Sequence, residues 1–60
     1  MTFEVNQIVK GIKAGTFVIV GFRTIDGEAH AQLKAVDPAD YSRVARGELA
    51  LPLTAITEAA

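Results

Sequence analysis

Sixty residues with no cysteine make a single domain near the lower size limit for independent folding, with no disulfide or thiolate metal site to brace it. Net charge is −1, the pI is about 5.6, and six Lys and Arg are scattered among seven acids, unlike the basic stripe of a nucleic-acid binder. Half of the residues are apolar and mean hydropathy is +0.28, rich for a small chain with no staple, so self-association is the first expectation. The N-terminus lacks the basic and apolar regions of a secretory signal. The longest apolar run, Phe17–Val20, is far too short to span a bilayer. These features predict a cytoplasmic protein without a membrane segment.

In chain order, residues 1–6 read as a short strand or extended entry, with Phe3 and Val5 alternating against Thr2 and Glu4. Asn6 tolerates positive φ and suits a turn. The first full strand is expected over 7–12, weakened by Gly11, which marks a bulge or a close backbone approach. Lys13-Ala14-Gly15 is a loop, with Gly15 at positive φ. The second strand, 16–24, is dense in β-branched and aromatic residues. Simple alternation puts Phe17, Ile19, Gly21 and Arg23 on one face and Thr16, Val18, Val20 and Phe22 on the other. Both faces are apolar, so one needs a cover or an interface.

Asp26-Gly27 suits a two-residue type I′ turn. The third strand, 28–36, alternates strictly: Ala29, Ala31, Leu33 and Ala35 face one way, and Glu28, His30, Gln32 and Lys34 the other. Residues 37–47 carry helix punctuation. Asp37 is an N-cap, Pro38 suits the first helical position, and Gly47 stands where a C-cap belongs. A short helix or helical turn near 38–46 is therefore expected, with Tyr41, Val44 and Ala45 on one side. Residues 48–51 alternate as a strand that Pro52 ends, and 53–56 suit a 3₁₀ turn. The tail, 57–60, is a fraying end or a last short strand.

Five short antiparallel strands, a tight hairpin and a 3₁₀ turn before the last strand make the chain all-β and resemble an SH3-like small barrel. A second, closer resemblance is to the type II dihydrofolate reductases, homotetramers of such barrels. It rests on Phe3, on Val20-Gly21-Phe22, and on Leu51-Pro52-Leu53-Thr54-Ala55. Where that family has Gln-Ile-Tyr before the Pro, this chain has Leu49-Ala50-Leu51, with no amide or hydroxyl to hold a pterin or nicotinamide. The resemblance implies the scaffold and its self-association; a symmetric pore enzyme is the last of the readings it leaves.

No catalytic set stands out. Ser42 has no neighbouring His, the glycines do not match a phosphate loop, and His30 alone cannot build a metal site. Asp26 and Asp37 have backbone roles in the turn and the cap. No cofactor and no metal are expected. The expected function is a non-enzymatic module that binds itself and a protein or peptide. Its contacts would be Arg23, His30, Lys34 and Tyr41, on Phe22 as an apolar base. A nucleic-acid-binding barrel with a regulatory role, using the same cations, is the alternative.

Overall fold

The turns show how the chain is laid out. Asp26 and Gly27 both have positive φ, 51° and 78°, as a type I′ turn requires, so the chain reverses within two residues. Asn6 and Gly15 also take the left-handed region, at 74° and 96°. Between these turns runs one antiparallel sheet, described for residues 3–59 of a computed structural model. Met1, Thr2 and Ala60, parts of the expected entry and tail, lie outside the described residues.

The strands are β1 (Ile8–Gly11), β2 (Thr16–Ile25), β3 (Glu28–Asp37), β4 (Asp40–Pro52) and β5 (Ile56–Glu58), with a 3₁₀ turn at Leu53–Ala55. Their order across the sheet is β4-β3-β2-β1-β5. The 3₁₀ turn packs back on β3 and β4, an arrangement compatible with a small barrel. The chain is all-β with one short helical turn, and that turn is the one expected over 53–56.

The helix expected near 38–46 is not there. Pro38 and Ala39 form a tight turn, and the chain then runs as β4 against β3. The residues that suggested caps make the turn instead. Asp37 Oδ1 accepts from the Ala39 amide at 2.8 Å, and Asp40 Oδ1 accepts from the Ser42 amide at 3.1 Å. Such local side-chain bonds serve a turn as well as a helix start. Gly47 does not have the positive φ of a C-cap. Pairing with β3 satisfies a longer run of backbone than two helical turns can, and it wins.

The core is small. Val9, Ile19, Ala31, Leu33 and Ile56 form one buried cluster, with Phe3, Phe17, Leu51 and Leu53 packed against it. Backbone bonds from Asn6 to Ile19 (2.8 Å) and from Ile19 to Gln7 (3.0 Å) tie the entry segment to β2. Among the alanines expected to face inward, Ala31 is fully buried, Ala35 is half-buried and Ala29 is exposed near the hairpin tip.

One irregularity resets the faces. Ile19 pairs with Leu33 but Gly21 pairs with Gln32, so Val20 is an extra residue in β2. A bulge of this kind shifts the parity of everything beyond it. Phe22 therefore opposes the buried Ala31 and joins the core-facing side, whereas Gly21 and Arg23 join the outer side with Gln32 and His30. The simple alternation read from the sequence holds only up to Ile19.

Candidate functional site

The five residues expected to form one contact surface are divided among three places. Arg23, His30 and Lys34 share the outer face: Arg23 directly opposes His30, and Lys34 lies further along β3, between Val18 and Glu48. His30 Nδ1 is 2.9 Å from the Glu28 carbonyl. A carbonyl only accepts, so Nδ1 carries the proton and Nε2 is the free ring position. Phe22 cannot be the base of this patch, because as the strand neighbour of Arg23 it points to the opposite side, with Ala31, and is 44% exposed. Tyr41 is elsewhere again. It lines a hollow of about 490 Å³ with Gln7, Ile8, Glu58 and Ala59.

Asp40, at the start of β4, is an acid held below its ordinary pKa. Hydrogen bonds from Ser42, through its hydroxyl at 2.6 Å and its amide, hold the Asp40 carboxyl below its ordinary value. Arg43 Nε lies 3.6 Å away and adds to the effect. A lowered pKa means that folding favours the charged form. The stabilisation is present above the unfolded-state value and is lost as pH falls through the folded one. Titration of Asp40 by NMR is expected to give a midpoint below the usual carboxylate range, and Ser42→Ala should raise it. An unchanged midpoint in Ser42→Ala would show that Ser42 is not the cause.

A second hollow, of about 400 Å³, is almost wholly apolar. Ile12, Phe17, Leu49, Leu51 and Ala55 line it, and among the described residues Lys13 is the only charged one on its wall. The local sequence explains its shape. Gly11 and Gly15 let the β1–β2 loop fold tightly, with the Gly11 amide bonded to the Gly15 carbonyl at 3.1 Å. The Ile12 amide donates to the Ala55 carbonyl at 3.0 Å, which pins that loop to the 3₁₀ turn. Ile12, 61% exposed, and Leu49, 38% exposed, both line this hollow. Phe22 lies on the same side of the sheet as Leu51, across Ala31.

Sequence reasoning missed this groove. Its residues come from four separate segments, and the one clue was an isoleucine in a loop between two glycines. Leu49 and Leu51, read as ordinary strand residues, form its β4 wall.

Among the described residues no group of His, Asp or Glu side chains is placed to hold a metal ion. No helix among them is long and apolar enough to cross a membrane. Comparison with family models, with curated proteins and with solved structures finds no match to this chain.

Proposed function

We propose that this chain is a non-enzymatic interaction module, an SH3-like barrel that self-associates and takes a short protein or peptide segment in the apolar groove. The observation behind the reading is the groove itself: large apolar side chains held open to solvent by a hydrogen-bonded loop. Small proteins rarely leave such residues exposed together without a contact to make. Strand order, the tight β2–β3 turn and the 3₁₀ turn before β5 support the barrel assignment.

The chemistry of the wall sets the partner. Apolar side chains would fill the space between Ile12, Phe17 and Leu49, and an acid beside them would meet Lys13. Selection from a displayed random-peptide library on the immobilised chain is expected to enrich segments with two apolar residues next to Asp or Glu. Leu49→Asp should abolish their binding, and Lys13→Glu should weaken it about tenfold. Binders indifferent to both substitutions would overturn the groove as the site. The outer face offers nucleic acid less, because Glu28 and Glu48 sit among its cations. Steeply salt-dependent binding of a single-stranded oligonucleotide, lost in Arg23→Ala, would favour that face over the groove.

A further inference from the structure

We infer that the free edge of β4 is the surface on which two copies of this chain meet, strand to strand and antiparallel about a two-fold axis at Gly47. This deepens the self-association in the proposed function and rests on that reading. β4 is the longest strand, 13 residues, and it ends the sheet with β3 on one side only. Every residue from Asp40 to Leu49 is exposed, including Tyr41, Val44 and Leu49. Its register on β3 jumps from Val36–Val44 to Lys34–Glu48, so Ala45, Arg46 and Gly47 face the single residue Ala35. These surplus residues interrupt the regular pairing with β3. An open edge of this length is a template for another strand.

Charge decides what that strand is. The Arg43–Asp40 ion pair is already made within the chain. Among the described residues Arg46 has no carboxylate within 4 Å, and neither does Glu48 have a cation within that distance. Two copies related by an axis normal to the sheet must pair residues that share a face, so the allowed registers move in steps of two. With Gly47 opposite Gly47, Arg46 meets Glu48 of the second copy on both sides of the axis. Ala45 then meets Leu49, and Val44 meets Ala50. The next register one way opposes Arg46 to Arg46, and the next the other way opposes Glu48 to Glu48. Like charges directly opposed are unfavourable, so both neighbouring slips are disfavoured. In the favoured register Glu48 lies between Lys34 of its own chain and Arg46 of the second copy.

The test is a charge exchange read by light scattering and native mass spectrometry across a dilution series. The wild-type chain is expected at twice its 6.4 kDa mass. Arg46→Glu and Glu48→Arg are each expected to weaken the dimer about tenfold or more, while circular dichroism shows the β-structure kept. Mixing the two variants restores both opposite-charge pairs and should return a dimer made of one copy of each. Arg46 opposes no charged residue on β3, so Arg46→Glu still decides the matter if Glu48→Arg loses its fold beside Lys34. A multimer unmoved by Arg46→Glu, or a mixture that fails to form heterodimers, would overturn this surface and leave self-association standing. A wild-type chain at 6.4 kDa at every concentration would overturn both this surface and self-association, leaving the groove to the peptide selection.

Discussion

Leu33→Ala is expected to remove a large share of the domain's stability. Leu33 is completely buried in the cluster of Val9, Ile19, Ala31 and Ile56, between Ile19 on β2 and Leu49 on β4. Truncating a buried leucine costs about 2–5 kcal/mol, from lost transfer energy and the cavity left behind. A chain of this length holds roughly 3–9 kcal/mol in all. The neighbours cannot close the gap easily, because Ala31 has nothing to extend into it and Val9 and Ile19 are stiff, β-branched side chains on paired strands. Urea unfolding followed by circular dichroism, at one fixed protein concentration, reads the change. Leu49→Ala serves as the comparison, since Leu49 keeps part of its surface in water and should lose less. A loss under about 1 kcal/mol for Leu33→Ala would mean that this cluster is not the core.

The second large effect is at Gly11. A Cβ there would sit 2.6 Å from the Ala14 carbonyl oxygen, a backbone atom that cannot swing aside. Ala14 is fixed because the loop it belongs to is closed by the Gly11–Gly15 bond and tied to the 3₁₀ turn through Ile12. Gly11→Ala therefore pushes the loop outward and strains or breaks those bonds. Overpacking of this kind costs about 1–3 kcal/mol, and each lost hydrogen bond adds about 1 kcal/mol. The groove should open along with the loop, so peptide binding falls too. Gly27→Ala is the contrasting case. Gly27 has a φ of +78° but no atom within 4 Å of a Cβ, so only backbone strain of about 1–2 kcal/mol opposes it. Thermal unfolding of the two variants should rank Gly11→Ala as the more damaging. The reverse order would show that the loop yields freely.

Much of this architecture is legible in the sequence because its turns are chemical. Asn6, Gly15 and Asp26-Gly27 all take the positive φ that their residue types predict. At Gly11 the expected close backbone approach is to the Ala14 carbonyl. Residues 37–47 misled for a physical reason. An edge strand wetted on both faces has no period-two pattern to announce it, so Asp37, Pro38 and Gly47 carried the reading alone. The bulge at Val20 had one signal, the adjacent Gly21, a residue type that marks a bend in a strand. An extra valine in an apolar run does not show that the faces change there. That one residue put Phe22 on the core-facing side and Arg23 on the outer one, the reverse of the simple alternation. The groove was out of reach because proximity of Ile12, Leu49 and Ala55 depends on how β4 and the 3₁₀ turn return to the β1–β2 loop.

The pairing of β1 with β5 has a consequence for how the chain reaches this state. β2–β3 and β3–β4 are hairpins, closed over two residues each, and β1–β2 closes over a short loop. The Val9–Glu58 ladder, with the Ile12–Ala55 bond beside it, joins segments from opposite ends of the chain. The entropy of closing that long loop must be met before its few contacts return anything. The three-stranded meander can thus assemble locally and early, while β5 docks last and locks Ile56 into the core. Because β5 docks after the meander has formed, substitutions in β5 are expected to speed unfolding more than they slow folding.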